Sequence, residues 1–383
     1  MTTSSPQVWL CPDQLFDGVN LRRGLALGVS NGRSTVVHPV ADLPLSAPRR
    51  LLAGTLTPGF LDLQVNGGGD ALLNATPTHE AMRIMAAAHR RFGTVGILPT
   101  VITDAPGVLE AAVEAALAAQ GGHGILGLHI EGPHLSQARR GTHSSQWVRP
   151  FEAATLAKVK RLRAAGVFVK ITVAPEAMAA GQIAALVATG AVVSIGHSDA
   201  TAAVTRAALS EGASCFTHLF NAMSPMQNRE PGVTGAAINS TAYAGIICDG
   251  HHVADEMIGL ALRARPVAGR MFLVSDSMST VGGSDRFMLY GQEIRLVNGR
   301  LMNAEGSLAG AHVTMAEGLE RLITVLGIVP EVALSMAVSA PANLIRQSAL
   351  ASPEARDLAD LVLLNDRWKV SAVGAELVPG LAA

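Results

Sequence analysis

This sequence has few cysteines, few aromatic residues and almost no net charge. Its 383 residues include 4% aromatic residues, and 29 lysines and arginines against 30 aspartates and glutamates leave a formal net charge of -1. The odd set of three cysteines, without metal-type spacing, favours reduced thiols in a cytoplasmic protein over a disulfide framework. A near-neutral chain has no basic stripe for nucleic acid. The expected partner is therefore a small molecule.

Long apolar runs and a secretory leader are also missing. Although 49% of the residues are hydrophobic, they occur in short runs that glycine, aspartate and arginine interrupt. None approaches the ~18 uninterrupted apolar residues of a transmembrane helix. The N-terminal MTTSSPQVWLCPD has no basic stretch followed by a long apolar core. These absences predict a soluble protein with no membrane partner.

Strand-like and helix-like segments alternate from Thr57 to Asp276. Eight short β-rich runs occur there: PGFLDLQV, TVGILPT, GILGLHIE, VFVKITVAPE, AVVSIGH, ASCFTHLF, AGIICDG and RMFLVSD. Alanine-rich segments with helical spacing lie between most of them, at residues 80–92, 107–120, 152–165, 181–189 and 200–210. Because the strands are apolar rather than alternating, they favour a parallel sheet that is buried on both faces. The pattern predicts an α/β fold, a TIM-like (β/α)8 barrel, with an open doubly wound sheet as the structural alternative.

The flanking segments have a different character. Residues 7–50 and the C-terminal ADLVLLNDRWKVSAVGAELV are strand-like, and Asn31-Gly32 is a hairpin signal. We expect both ends of the chain to meet in one small β domain. A further insertion, FMLYGQEIRLVNGRLMNAEGS, contains Asn298-Gly299 and predicts a hairpin after the eighth strand.

Four ionisable residues stand at the ends of predicted strands. Glu131 follows GILGLHI, His197 follows AVVSIG, His218 follows ASCFT, and Asp276 follows RMFLVS. Barrel enzymes keep their catalytic residues at these strand ends, where the loops converge on one point. Two imidazoles and one carboxylate can hold a divalent ion with a position open for water, and a free aspartate can move protons. The arrangement predicts a metal-assisted hydrolase.

Three loops add polar groups near those strand ends. The helix after His197 is expected to begin with Ser198 or Asp199 as its cap. Arg229 supplies a guanidinium suited to bidentate binding of an oxyanion. The seventh strand is followed by Asp249-Gly250-His251-His252, a turn with two imidazoles.

Eight blocks, in order, carry a resemblance to a known family: PGFLDLQVNGGG, HIEGPHL with RRGTH, VAPE, GHSDAT, THLFNAM with REPG, CDGHHV, LVSDSM and GSLAGAHVTM. Together they resemble the N-acetylglucosamine-6-phosphate deacetylases of the amidohydrolase superfamily. The resemblance implies a TIM-like barrel at residues 55–345, a small β-sandwich domain built from residues 1–54 and 346–383, and a homodimer. It also implies cytoplasmic deacetylation of N-acetyl-D-glucosamine 6-phosphate to D-glucosamine 6-phosphate and acetate, in amino sugar catabolism and cell-wall recycling.

Roles for individual residues follow from the same resemblance. It implies a divalent ion on Glu131, His197 and His218, a metal-activated water as nucleophile, and Asp276 as general base and acid. His143 resembles the imidazole that helps to polarise the acetamide carbonyl. The residues that match substrate contacts, with Arg229 and His252 on the phosphate and the arginine arriving from a neighbouring subunit, are Thr142, Asn221, Ala222, Arg229, His252, Leu308, Ala309 and Gly310. The resemblance assigns no role to His134 or His251.

One departure from the superfamily pattern concerns the number of metal ions. Many amidohydrolases begin the first barrel strand with His-x-His, whereas this chain has Gln64-Val65-Asn66. An amide oxygen is a poorer ligand than an imidazole, so we expect one ion per subunit. Zinc is the expected ion, with iron, cobalt and manganese as alternatives, because two imidazoles and a carboxylate suit all four. The stretch SDSMSTVGG after Asp276 also departs from the usual pattern and leaves the sugar preference open.

Two alternatives remain at this stage. Another metal-dependent amidohydrolase, acting on a different N-acyl sugar or a cyclic amide, would share the fold, although cyclic-amide enzymes typically need the binuclear site that Gln64 and Asn66 disfavour. A non-catalytic scaffold would share the fold but would be expected to lack at least one of the four strand-end residues, and none is missing.

Overall fold

The computed structural model describes residues 6–119, 122–304, 306 and 308–378. The strands of this part of the chain are β1 (Val8–Phe16), β2 (Leu21–Arg22), β3 (Leu25–Ser30), β4 (Arg33–Pro39), β5 (Arg49–Pro58), β6 (Phe60–Val65), β7 (Gly67–Gly68), β8 (Ala71–Leu72), β9 (Thr94–Ile102), β10 (Gly127–Glu131), β11 (Phe168–Val173), β12 (Val192–Ile195), β13 (Cys215–Phe216), β14 (Tyr243–Ile246), β15 (Met271–Leu273), β16 (Arg286–Leu289), β17 (Gln292–Val297), β18 (Arg300–Met302), β19 (Leu361–Leu364) and β20 (Val370–Val373). The helices are α1 (His79–Arg90), α2 (Pro106–Ala119), α3 (Ala153–Ala164), α4 (Gln182–Val187), α5 (Ala202–Ser210), α6 (Gly232–Ile238), α7 (Asp255–Ala264), α8 (Met315–Thr324), α9 (Pro330–Leu334) and α10 (Ala340–Leu344).

Eight parallel strands form the barrel, in the order β6, β9, β10, β11, β12, β13, β14 and β15. Contacts beyond the end of β15 close it onto β6. The Asp276 backbone N–H donates to the Gln64 carbonyl at 3.0 Å, and the Asn66 N–H donates to the Ser277 carbonyl at 2.9 Å. These bonds confirm the predicted barrel over the open sheet. Closure also brings Gln64 and Asn66 beside Asp276.

The helices between the strands follow the alanine-rich segments. Helix α1 begins at residue 79 where residue 80 was expected, with Thr78 as its cap, and it buries Met82 and Met85 against the barrel. The cap expected for the helix after β12 was wrong. Thr201 caps α5 by accepting the Val204 N–H, because Ser198 donates its hydroxyl to Glu176 instead.

The interior of the barrel is polar beneath the strand ends. His129 and Thr172 are fully buried, and His129 Nε2 is hydrogen-bonded to Thr172 Oγ1 at 2.8 Å. Thr172 Oγ1 is also hydrogen-bonded to the Thr217 hydroxyl at 2.7 Å. Burial lowers the pKa of His129 well below its usual range, so this imidazole is neutral. A hydrogen-bonded layer thus supports the strand ends that carry the candidate site.

Both ends of the chain meet in a second sheet, as predicted. Its order is β20, β19, β5, β1, β3 and β4, with β2 on β1. The Asn31-Gly32 turn joins β3 to β4, with φ of 49° and 69°, as a two-residue hairpin turn requires. The strand β5 ends at Pro58 and β6 begins at Phe60, so this small β domain leads directly into the barrel.

A three-stranded sheet of β16, β17 and β18 covers one side of the barrel mouth. The predicted Asn298-Gly299 turn joins β17 to β18, with φ of 51° and 77°. Leu289, Ile294 and Leu301 from this sheet pack in one apolar cluster with Ile102 and Met278 of the barrel. Within the described residues, no helix has both the length and the apolar character needed to cross a membrane.

Candidate active site

Three strand-end residues have a left-handed backbone. The φ angles are 48° at His197, 29° at His218 and 51° at Asp276. Residues other than glycine adopt this conformation in only a few per cent of cases, with asparagine, aspartate and histidine the most frequent among them, and it costs roughly 1–3 kcal/mol at each position. Such strain persists where the surrounding fold enforces it, and it concentrates at functional sites. The sequence placed these residues at strand ends but gave no signal of this conformation.

Glu131, His197 and His218 converge at the mouth of the barrel. Glu131 Oε1 lies 3.3 Å from His197 Nε2 and 3.2 Å from His218 Nε2, and the two imidazole nitrogens are 3.0 Å apart. Ligand atoms of a tetrahedral zinc site, each 2.0–2.1 Å from the ion, stand about 3.3–3.4 Å from one another. The three atoms therefore lie close to the spacing of one face of such a site and leave its fourth corner open.

His143 is a second candidate for the third ligand position. Ligand atoms of Glu131, His143 and His197 all lie within 4.8 Å of one another, and the three residues are buried. The Thr103 backbone N–H donates to His143 Nδ1 at 3.3 Å. Because a backbone N–H can only donate, this bond places the imidazole proton on Nε2. His143 is thus held as an Nε2 donor, whereas His197 and His218 each bring Nε2 within 3.3 Å of the Glu131 carboxylate.

The orientation of His197 is set by the loop that follows β10. His197 Nδ1 donates to the Arg139 carbonyl at 3.0 Å, so Nε2 is the ring nitrogen that faces Glu131 and His218. The Arg139 guanidinium pairs with Asp199 at 2.7 Å, so the same two loops are tied twice. His218 Nδ1 is buried without a partner among the described residues.

Hydrogen bonds and burial oppose one another at the carboxylate of Glu131. Burial works against ionisation, but hydrogen bonds from His197 and His218 outweigh it and hold the pKa of Glu131 well below its usual range. For His218, burial works against protonation, and the hydrogen bond and charge of Glu131 outweigh it and raise the pKa. The cluster therefore keeps an ionised carboxylate between two imidazoles, a donor set that suits a divalent cation.

Two amides occupy the positions where many amidohydrolases have His-x-His. Gln64 Nε2 donates to Glu131 Oε1 and to Asp276 Oδ1, both at 3.0 Å, and Asn66 Nδ2 donates to Asp276 Oδ1 at 2.8 Å. Burial, followed by the nearby charge of Glu131, raises the pKa of Asp276. The sequence indicated that these amides are poor ligands. It did not indicate that they hold the two carboxylates in place as hydrogen-bond donors.

A cavity of about 180 Å³ opens above the cluster. Of the residues predicted to contact a substrate, those that line it are Thr142, His143, Asn221, Ala222, His252, Leu308 and Gly310. Ile102 and Met278 also line it and were not predicted, although Met278 stands only two residues after Asp276. Ala309 is buried in the apolar cluster with them. Arg229 is exposed and is not among the residues that line this cavity in the described part of the chain.

His252 is oriented by an ionised partner. Its Nδ1 lies 2.6 Å from Asp249 Oδ2, and the Asp249 carboxylate also accepts the backbone N–H groups of residues 251 and 252. Burial works against ionisation of Asp249, but the hydrogen bond from His252 outweighs it, and the pKa of Asp249 falls to about 2. The arrangement leaves Nε2 of His252 available at the cavity wall.

The two histidines without an expected role have structural contacts. His134 is buried, with Nδ1 2.9 Å from the Pro150 carbonyl and Nε2 3.0 Å from the Thr155 hydroxyl. His251 is exposed, and its Nδ1 accepts a hydrogen bond from Arg300 Nε at 3.2 Å. These contacts tie the loops around the mouth to their neighbours.

Comparison with known proteins places this chain in a family. Residues 55–374 match the amidohydrolase family. An N-acetylgalactosamine-6-phosphate deacetylase from a Shewanella species is 40% identical over 364 residues, which cover 92% of this chain and 91% of that protein. The N-acetylglucosamine-6-phosphate deacetylase of Haemophilus influenzae is 32% identical over 364 residues, covering 93% and 94% of the two chains.

Solved structures agree with the sequence comparisons. The N-acetylglucosamine-6-phosphate deacetylase of Pasteurella multocida superposes with a TM-score of 0.88 at 32% identity, over 96% of this chain and 98% of that one. A mutant of the Mycobacterium smegmatis enzyme in complex with N-acetyl-D-glucosamine-6-phosphate superposes with a TM-score of 0.85 at 32% identity, over 96% and 97%. This chain therefore belongs to the amidohydrolase family, as a hydrolase related over most of its length to amino-sugar-phosphate deacetylases.

Proposed function

We propose that this protein removes the acetyl group from N-acetyl-D-glucosamine 6-phosphate, yielding D-glucosamine 6-phosphate and acetate, in cytoplasmic amino sugar catabolism or cell-wall recycling. The observation that carries the proposal is the triangle of Glu131, His197 and His218, whose edges suit a tetrahedral metal site, beside the partly buried carboxylate of Asp276. The named relatives support the substrate class. The barrel at residues 55–345 would carry this chemistry, and residues 1–54 and 346–383 would form the small β domain.

Glu131, His197 and His218 are the proposed ligands of one divalent ion, with zinc as the expected metal and iron, cobalt or manganese as alternatives. His143 is the less suitable ligand, because Thr103 already occupies its Nδ1 and fixes the proton on Nε2. When bound, the ion supplies Lewis acidity toward water and the amide carbonyl. Gln64 and Asn66 donate to the carboxylates, so they argue against a second ion.

Asp276 and His143 divide the proton chemistry and the charge stabilisation. Asp276 accepts the proton of the attacking water and returns it to the departing nitrogen, which is a poor leaving group without it. Burial lowers the pKa of His143 to about 3, so the imidazole is neutral at physiological pH. A neutral Nε2–H stabilises the developing oxyanion as a hydrogen-bond donor, worth a few kcal/mol.

Of the two groups that we propose for binding the phosphate, only one lines the cavity formed by the described residues. His252 reaches the cavity, but Arg229 lies on an exposed loop outside it. A near-neutral protein must bind a dianion through local groups. A homodimer in which Arg229 reaches the neighbouring cavity would complete the site.

A second substrate is favoured by one observation. The relative with 40% identity is an N-acetylgalactosamine-6-phosphate deacetylase, whereas the named glucosamine enzymes are 32% identical. The two sugars differ only in the configuration at C4, so the same acetamide chemistry serves both. The departure at SDSMSTVGG, which places Met278 in the cavity wall, is a difference that could alter the sugar preference.

An acetate-release assay on a short panel tests this proposal. The panel contains N-acetylglucosamine, N-acetylgalactosamine and N-acetylmannosamine, each with and without the 6-phosphate, and metal content is measured on the same preparation. We expect release from a phosphorylated sugar, and the ratio of kcat/KM for the two C4 epimers decides between the two substrates. His218→Ala should lose the metal, while His143→Ala should keep it and lose rate. If His143→Ala loses the metal and His218→Ala keeps it, His143 is the metal ligand and His218 is not.

A further inference from the structure

Tyr290 stands at an unusual position for a tyrosine. It forms a two-residue turn with Gly291 between the paired residues Leu289 and Gln292, with φ of 49° and 79°. Both central residues of such a turn need positive φ, and asparagine followed by glycine is the preferred pair. The chain uses that pair in two comparable turns, at Asn31-Gly32 and Asn298-Gly299, and Gly69-Asp70 in a third. A tyrosine in this conformation is strained, and such strain often accompanies a function. We therefore examined what the Tyr290 side chain contacts.

The side chain of Tyr290 connects the two segments that hold His143. Its hydroxyl donates to the Thr103 carbonyl. The backbone N–H of Ser144 lies close enough to the phenol oxygen to act on its pKa, in the lowering direction. Thr103 is the residue whose own N–H donates to His143 Nδ1, and Ser144 follows His143 directly. Burial raises the pKa of the Tyr290 phenol, which keeps the hydroxyl protonated and able to donate.

The sheet that carries Tyr290 is anchored to the barrel beside the cavity. Leu289, next to Tyr290, is buried in the cluster that includes Ile102 and Met278. Ile102 pairs with Glu131 in the barrel and precedes Thr103. Packing of Leu289 therefore fixes the strand that carries Tyr290, and pairing of Ile102 with Glu131 fixes the segment that carries Thr103. The Tyr290 hydroxyl links the inserted sheet to this segment, which holds His143.

We propose that Tyr290 is a positioning residue that fixes the His143 loop against Thr103, so that His143 presents its Nε2–H to the acyl oxygen of the substrate. This inference rests on the proposed deacetylation. Without the hydroxyl, the Thr103 carbonyl loses its hydrogen-bond donor and the segment whose N–H holds His143 Nδ1 is less firmly fixed, so the imidazole can rotate or exchange its tautomer. The chemistry of Asp276 and the metal ligands would remain intact.

Tyr290→Phe tests the proposal, because it keeps the ring and removes only the hydroxyl. We expect kcat to fall ~5- to 10-fold, the effect of one hydrogen bond, with KM changed by less than about twofold and metal content unchanged. Tyr290→Asn restores the preferred turn pair and should lower kcat at least as much. Tyr243→Phe is the matched control, because Tyr243 is the other of the two tyrosines in the sequence and lies at the start of β14. Its kcat should match that of the wild type.

Two further measurements separate positioning from a general structural effect. In a His143→Ala background, Tyr290→Phe should reduce kcat by less than about twofold, because residues that act through one another are not additive. Nitrogen-15 NMR of the His143 ring should show one tautomer, protonated on Nε2, in the wild type and a mixture in Tyr290→Phe. An equal loss in both backgrounds, an unchanged kcat, or an unchanged tautomer would overturn the proposal. If the wild type releases no acetate from any sugar, the proposed function fails, and the NMR result still decides whether Tyr290 positions His143.

Discussion

The buried carboxyl of Asp62 gives a prediction whose size follows from the structure. Asp62 is fully buried, and its carboxyl accepts the backbone N–H groups of Gln64 and Ser275 at 3.2 Å. Burial, which outweighs these hydrogen bonds, raises its pKa from 3.8 to about 7. The folded protein therefore binds a proton on Asp62 that the unfolded chain has released over the range between these two values.

The pH dependence has a definite sign. Below about pH 4 the group is protonated in both states and costs nothing, and between pH 4 and 7 the free energy of unfolding falls by about 1.4 kcal/mol per pH unit. Above pH 7 the cost is constant, and roughly three pH units amount to about 4 kcal/mol. Asp62→Asn removes this cost and keeps Oδ1 as the acceptor for both N–H groups. The variant should gain stability over the wild type as the pH rises, by about 3 kcal/mol from pH 5 to pH 8.

Denaturant unfolding of the two proteins at pH 5, 6, 7 and 8, with the same saturating metal concentration, measures this difference. Asp366→Asn is the matched control, because Asp366 is exposed and the same chemical change there should leave the difference flat. A difference between Asp62→Asn and the wild type that stays constant or shrinks as the pH rises would refute the reasoning.

Three further predictions concern the proposed roles. Elemental analysis should give about one ion per chain, and His197→Ala or His218→Ala should lose both metal and activity; two tightly bound ions per active chain would contradict this. Asp276→Asn should keep the metal and lower kcat by on the order of a hundredfold or more, and retained activity would exclude it as the proton carrier. Arg229→Ala should raise the KM for the 6-phosphate substrate ~10- to 1,000-fold and leave the rate on the unphosphorylated sugar nearly unchanged. Hybrid dimers of Arg229→Ala and Asp276→Asn chains should regain activity, and no recovery in verified hybrids would place Arg229 in its own subunit's site or outside it.

The sequence by itself determined the barrel, the meeting of both termini in one sheet, and the strand ends that carry Glu131, His197, His218 and Asp276. These features depend on local patterns: apolar runs of strand length, alanine-rich helical spacing, and the Asn-Gly pair at a hairpin. Such patterns act over a few residues, so they can be read without knowing which segments become neighbours. The family blocks added expected roles for the metal, proton-transfer and substrate-contact residues, but none for His134 or His251.

Only the tertiary structure decided which side chains meet. Gln64 and Asp276 are 212 residues apart in sequence and become partners because the last strand closes on the first. Tyr290 reaches Thr103 across 187 residues because the inserted sheet folds over the mouth. The cap of α5 is Thr201 rather than Ser198, because Ser198 donates its hydroxyl to Glu176 from another loop. Each of these contacts joins segments that are distant along the chain, and their geometry is fixed by barrel closure and packing, which no local pattern specifies.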